Sequence, residues 1–286
     1  MLPTLLQLFT RNSPSNVPSL PNELTIQIVD LLKDDRKSVE ACSLVCREWS
    51  LISHAILFER VRIGYDLLEL LDSKIERISR HIEAVKALTL MQSYPGEGDG
   101  LTLQTLLAVS SRFPNLKELE LFRVCIIDDK SDLQRLDNSL CPQSSVKTLK
   151  LVTSSLMTPT GSTHANMPYS LFTAFPSLED LRLYRTSLQE DDSPLNPNDQ
   201  HIPLRTLSCS SAGKNFPYFL RNLQPLTWSL RTIDYTAFNA HFANLILLCN
   251  LKGIKDSLKV LRVGVPVDSF RWYPRSDYST AEGIAP

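Results

Sequence analysis

The segment Leu116–Leu121 reads LKELEL, and six other segments share its L-x-x-L-x-L frame, with Val, Ile, Cys or Tyr at some leucine positions. Successive frames start 31, 30, 32, 26, 26 and 28 residues apart. One such hexamer means little because Leu is common, but seven in order at near-constant spacing indicate an internal repeat. The other frames are Val85–Leu90, Val146–Leu151, Leu178–Leu183, Leu204–Cys209, Leu230–Tyr235 and Leu258–Val263.

The repeat predicts an α/β fold. The last four positions of each frame alternate between inward and outward, as a strand requires. Apolar segments of helical length precede some frames: Leu67–His81, Leu101–Phe113 and His241–Ile254. Stacking such strand–helix units places a parallel sheet on one side and helices on the other. An ordinary doubly wound α/β domain stays open as an alternative, although it does not require the frame in every strand.

Over residues 62–266 the frames resemble leucine-rich repeats. The resemblance implies an irregular solenoid of about seven repeats, with the parallel sheet on the concave face and helices on the convex face. Many such repeats place Asn or Cys three positions after the frame, and this chain does not. Because no asparagine ladder can form, we expect irregular turns after the strands. The residues at that position are Ser93, Val124, Ser154, Thr186, Ala212, Phe238 and Pro266.

A small helical module is predicted at residues 20–61, after a flexible lead-in at residues 1–19. Pro21 suits a first helical turn, and apolar residues follow at helical spacing. Ser38 is the expected N-cap of a second helix that continues through Val45 and Cys46. A third helix runs from about Trp49. Three short helices make only a small core, so such a module leans on a neighbour or a partner.

The module also resembles the F-box, through LPNEL at residues 20–24 and VCREW at residues 45–49. The resemblance implies docking on a Skp-family adaptor and, through it, on a cullin. The alternative is a helical cap that seals the repeats and has no partner. The adaptor-binding residues carried over from matching F-box positions are Leu20, Pro21, Leu24, Ile28, Leu31, Val45 and Trp49.

Composition excludes several other classes of function. The net charge of −1 predicts neither a nucleic-acid nor a membrane partner, and no apolar run is long enough for a membrane span. Six scattered cysteines favour an intracellular protein with reduced thiols, in the cytoplasm or nucleus. Cys42 and Cys46 have a spacing that can hold a metal, but buried core positions explain both more simply. We expect no catalytic residue, no metal and no cofactor.

The outward positions of repeats two to four are the expected substrate platform. They form one lateral row of Glu120, Lys150 and Arg182, beside an apolar row of Met91, Phe122, Val152 and Tyr184. Two long loops, residues 155–168 and 187–203, are expected to form one rim of the solenoid. The predicted substrate-binding residues are Glu118, Glu120, Phe122, Lys150, Asp180, Arg182 and Tyr184.

The family therefore implies a non-catalytic receptor of a Skp–cullin–F-box ubiquitin ligase, which brings an unknown protein substrate to ubiquitination. One alternative is an F-box scaffold that binds the adaptor without delivering a target. The other is a hydrolase with an unrecognised Cys or Ser nucleophile. Residues 267–286 are expected to be a C-terminal tail of a chain that stops short of a closing helix.

Overall fold

The computed structural model describes residues 20–65, 68–92, 100–127, 145–157, 174–188, 201–210, 227–236 and 254–264. The chain divides into two compact units, residues 1–59 and residues 60–286. In the described ranges no helix has the length and apolarity to cross a bilayer. The predicted lead-in, the C-terminal tail, residues 241–253 and most of both predicted rim loops lie outside the described residues.

The described part of the first unit, residues 20–59, contains three helices. They are α1 (Asn22–Leu31), α2 (Arg36–Cys42) and α3 (Arg47–Leu57). Their core is small, as expected for so short a segment: Val29, Val39 and Cys42 are buried. Five partly buried side chains pack around these three, namely Leu32, Trp49, Ile52, Ile56 and Leu57.

The predicted boundaries of α2 were wrong at both ends. Asp35, not Ser38, is the N-cap, because its carboxylate accepts the backbone N–H groups of Lys37 and Ser38 at 3.2 and 3.4 Å. The helix then ends at Cys42, before Leu44, Val45 and Cys46. Cys46 was expected in the core, but it is exposed at the N-cap position of α3.

The second unit is built on an eight-stranded sheet whose neighbouring strands are all parallel and follow one another across the sheet in chain order. The seven frames supply every strand after the first. The strands are β1 (Arg60–Tyr65), β2 (Ala87–Gln92), β4 (Glu118–Phe122), β6 (Thr148–Val152), β8 (Asp180–Tyr184), β11 (Thr206–Ser210), β13 (Thr232–Thr236) and β14 (Val260–Gly264).

Burial alternates along β4, β6, β8, β11 and β13 as the frame predicts, with the second and fourth residues buried. The buried frame residues join one core with Phe113 and Phe175, which lie just before β4 and β8. The prediction was wrong for the seventh frame: Leu261 and Val263 of β14 are exposed. β14 is the last strand of the described sheet, so no further described strand lies beside it.

The turns after β4, β6 and β8 are regular, contrary to the expected irregularity. Arg123, Thr153 and Arg185 each adopt a left-handed φ, between 50° and 57°, at the same point after the strand. The next residues include the buried Ser154 and Thr186. Ser154 Oγ accepts the N–H of Val124 at 3.2 Å and lies 2.9 Å from the Leu121 carbonyl. Thr186 Oγ1 donates to the Leu151 carbonyl at 3.1 Å. Hydroxyl groups therefore bridge neighbouring turns where an asparagine ladder would otherwise do so.

Short strands and helices accompany the main sheet in the described residues of the second unit. Both expected rim loops begin as strands of a second parallel sheet. That sheet comprises β3 (Leu101–Thr102), β5 (Cys125–Ile127), β7 (Ser155–Met157) and β9 (Ser187–Leu188), and a further pair is β10 (His201–Ile202) and β12 (Thr227–Trp228). The described helices of this unit are α4 (Leu68–Arg77), a 3₁₀ helix (Ser79–Ala84), α5 (Leu103–Ser111) and α6 (Ile254–Ser257).

Candidate functional site

One side of α1 exposes a line of large apolar side chains. At 100° per residue, Leu24, Ile28 and Leu31 fall within an arc of about 60°. The buried face of the helix, which carries Thr25 and Val29, lies beside that arc. Leu24 is 45% exposed and Leu31 is 83% exposed, so these side chains are not used by the unit's own core. Exposed leucines in a line on one helix face are typical of a docking surface.

A second exposed apolar group follows α2. Because the helix ends at Cys42, Leu44 and Val45 leave the core and are 86% and 65% exposed. Leu20 and Pro21, before α1, are exposed as well. Leu44 was not among the predicted binding residues, although its neighbour Val45 was.

Trp49 differs from the other six predicted adaptor-binding residues. It is half-buried and packs against the core of Val29, Val39 and Cys42. A tryptophan in that position stabilises the unit whether or not its outer edge also touches a partner. Ile26 and Leu51 are exposed too, but Ile26 lies about 160° around α1 from Ile28. These two residues therefore offer a matched comparison for the Leu24–Leu31 line.

In the second unit, the outward side chains of the main sheet lie in the rows that the sequence predicts. Pairing between strands aligns Glu120 with Lys150 and Lys150 with Arg182. The same register aligns the apolar row Met91, Phe122, Val152 and Tyr184. The predicted substrate-binding side chains are thus neighbours on one face and are partly exposed.

Ion pairs on this face hold its charged side chains in place. Lys150 pairs with Glu118, and Arg182 donates to the Asp180 carboxylate at 2.6 and 2.9 Å. The hydrogen bond from Arg182 to Asp180 raises the pKa of Arg182, and partial burial raises the pKa of Tyr184. Both groups therefore keep their ordinary protonation at neutral pH, and the face presents a fixed charge pattern.

Two further features belong to the same face. The guanidinium of Arg123 lies 5.3 Å from the centre of the Phe122 ring, a cation–π contact that brings a charge from the turn onto the apolar row. Asp180 Oδ1 is buried and has no hydrogen-bond partner among the described residues. Leaving a buried polar atom without a hydrogen bond costs about 1–3 kcal/mol.

The described residues hold no cluster of three or more His, Cys, Asp or Glu that could bind a metal. Four of the six cysteines fall within them, Cys42, Cys46, Cys125 and Cys209, and all four are free thiols. Cys209 lies at an inward frame position. Burial, together with the nearby Asp234 carboxylate, raises the pKa of its thiol well above the ordinary value.

Comparison with curated proteins finds no match to this chain. Comparison with protein-family models finds one that spans helices α1, α2 and α3 and the start of β1. The match covers 47 of the 286 residues, including the exposed line on α1 and the turn after α2. Residues 17–63 of the chain match the family described as F-box-like.

Proposed function

We propose that the first unit docks on a Skp-family adaptor and so ties the chain to a cullin-based ubiquitin ligase. The observation that carries the proposal is the exposed apolar line on α1, within the segment that matches the F-box-like family. Burying one leucine side chain contributes about 1.5–3 kcal/mol. Leu24, Ile28 and Leu31 on one helix face, with Leu44 and Val45 after the next helix, provide apolar surface whose burial can offset the cost of association.

The second unit, in this proposal, is a leucine-rich-repeat solenoid with the main sheet on its concave side. Seven frames that form seven neighbouring parallel strands support this reading, as do the three matching turns after β4, β6 and β8. The outward face of β4, β6 and β8 is then the substrate platform. Its apolar row and fixed ion pairs combine an anchor for apolar side chains with a charge pattern that selects among partners.

No catalytic step is assigned to this chain. Its contribution is proximity: one surface holds the adaptor, the other holds the target, and the effective concentration of the target beside the ubiquitin-loaded enzyme rises. Chemistry of the transfer itself belongs to the other subunits. The protein then acts in ubiquitin-dependent degradation inside the cell.

Affinity capture from cells with the proteasome blocked tests this proposal. The full chain is expected to retain the adaptor and a cullin, and a chain lacking residues 20–60 is expected to lose both. If the chain captures the adaptor, but no captured protein accumulates in cells from which the gene is deleted, the chain is a scaffold instead. Retention of the adaptor by the deletion chain would refute the docking site.

A second comparison tests the platform. Phe122→Ala with Tyr184→Ala should lower target capture at least tenfold, because the apolar row loses both aromatic side chains. Thr206→Ala with Thr232→Ala, on the same face in β11 and β13, should leave capture within twofold. Adaptor binding and the melting temperature check that each variant is folded. Equal capture by both variants would place the target elsewhere.

A further inference from the structure

A row of cationic side chains crosses the main sheet at the edge where its strands begin. The second position of each frame precedes the strand, and in six of the seven frames it is Lys or Arg. Each backbone N–H in the row donates to the carbonyl of the preceding member at 2.8–2.9 Å, so the seven residues lie side by side. We call them the cationic row: Lys86, Lys117, Lys147, Glu179, Arg205, Arg231 and Lys259.

All six cations in the row are exposed. Glu179, the one acid, lies between Lys147 at 2.8 Å and Arg205 at 3.4 Å. The hydrogen bond from Lys147 lowers the pKa of Glu179 and keeps it ionised. Lys117, Arg231 and Lys259 make no ion pair with any described residue. The row thus has cationic groups available to a partner at both ends.

The row is not a by-product of a basic chain. It carries a formal charge of +5 in a chain of net −1, so the rest of the chain is net −6. Like charges on neighbouring strands destabilise a sheet. The next row of outward residues does not neutralise these cations, because its acids Glu118 and Asp180 already pair with Lys150 and Arg182. The alignment of six Lys and Arg side chains on neighbouring strands therefore does not stabilise the fold, whereas it does suit the binding of an anionic partner.

The dimensions fit an extended peptide. Strands about 4.8 Å apart give the seven-residue row a length of about 29 Å, which an extended segment of about nine residues matches. Single-stranded nucleic acid needs aromatic side chains for stacking, and the adjoining outward row has none: Ala87, Glu118, Thr148, Asp180, Thr206, Thr232 and Val260. A membrane surface engages clustered basic residues rather than one line in a chain of net negative charge.

We infer that the cationic row binds an acidic segment of a partner protein, about nine residues long and rich in Asp or Glu, laid across the strands. That the segment belongs to a ubiquitination target rests on the function proposed above. Binding of an acidic segment by the cationic row does not rest on that proposed function.

Fluorescence anisotropy with a labelled nonaglutamate peptide and the full chain, in 50 mM NaCl, tests the inference. Lys117→Glu with Arg231→Glu should weaken binding at least tenfold. The control Arg77→Glu with Arg80→Glu makes the same charge change at exposed positions on α4 and the 3₁₀ helix, and should stay within twofold. Raising NaCl to 300 mM should weaken binding by the unmodified chain about tenfold, since exposed charges are screened.

Equal weakening by the two variants, or no nonaglutamate binding below 1 mM, would overturn the inference. Tighter binding of a nine-nucleotide oligouridylate, or of phosphatidylserine vesicles, would overturn the choice of a protein partner. Adaptor capture by the Lys117→Glu, Arg231→Glu variant is measured in parallel and should be unchanged. Loss of nonaglutamate binding by the cationic row is thereby distinguished from loss of adaptor binding by the first unit.

Discussion

Replacing Ser154 with Ala should destabilise the sheet unit more than its size suggests. The Ser154 hydroxyl is buried, accepts the Val124 N–H at 3.2 Å and lies 2.9 Å from the Leu121 carbonyl. Alanine leaves the Val124 N–H without that acceptor, and an unsatisfied buried group costs about 1–3 kcal/mol. The expected loss is about 2 kcal/mol. Thr186→Val should cost less, about 1 kcal/mol, because Thr186 Oγ1 only donates to carbonyl oxygens in this structure.

Urea unfolding followed by circular dichroism at 218 nm measures both losses, since all described strands belong to residues 60–286. Ser111→Ala is the matched control: its hydroxyl also donates to a carbonyl, that of Ala108 at 2.8 Å, but it is exposed at the end of α5. The control should change stability by less than about 0.5 kcal/mol. A Ser154→Ala loss as small as the control's would refute the idea that hydroxyl groups hold these turns.

Two further results are expected. At pH 8, iodoacetamide should modify the exposed Cys46 and leave the Cys209 thiol of the native protein intact, because burial raises the pKa of Cys209 well above the ordinary value. Mass spectrometry of the treated native protein checks this, and modification of Cys209 before Cys46 would contradict it. Hydrogen bonds from Ser38 lower the pKa of Asp35 from 3.8, so the cap that Asp35 places on α2 is fully present above pH 3.8 and is lost as pH falls through the lowered pKa. Asp35→Asn should therefore remove this acid sensitivity from the helical circular dichroism signal at 222 nm. A pH profile that is the same for the variant and the unmodified chain would contradict this.

The repeat was predictable because its signal is redundant. Seven hexamers at near-constant spacing determine seven strands, their parallel order and the rows on their outward face, since each strand has a period of two residues. The residues Glu120, Lys150 and Arg182 were aligned from spacing alone. The exposure of Leu261 and Val263 was not predicted, because their place in the frame indicates that they point inward but does not indicate whether another strand packs beside the last one.

Cap and turn geometry could not be predicted from apolar pattern. Asp35 and Ser38 both suit an N-cap, and only the backbone conformation decides between them. The exposure of Leu44 could not be predicted, because it follows from the end of the helix at Cys42. The missing asparagine suggested irregular turns, whereas the left-handed Arg123, Thr153 and Arg185 give regular ones. Ser154 and Thr186, which follow two of these three residues, were the available signal.

The most direct test of the account is the affinity of the purified chain for a Skp-family adaptor, measured by calorimetry on two matched variants. Leu24→Ala with Leu31→Ala removes side chains from the exposed line on α1. Ile26→Ala with Leu51→Ala removes as much exposed apolar surface from other positions of the same unit. The account predicts at least a tenfold weaker Kd for the first variant, because each buried leucine contributes about 1.5 kcal/mol or more, and a change within twofold for the second. Equal affinities for the two variants, or no adaptor binding by the unmodified chain, would contradict it.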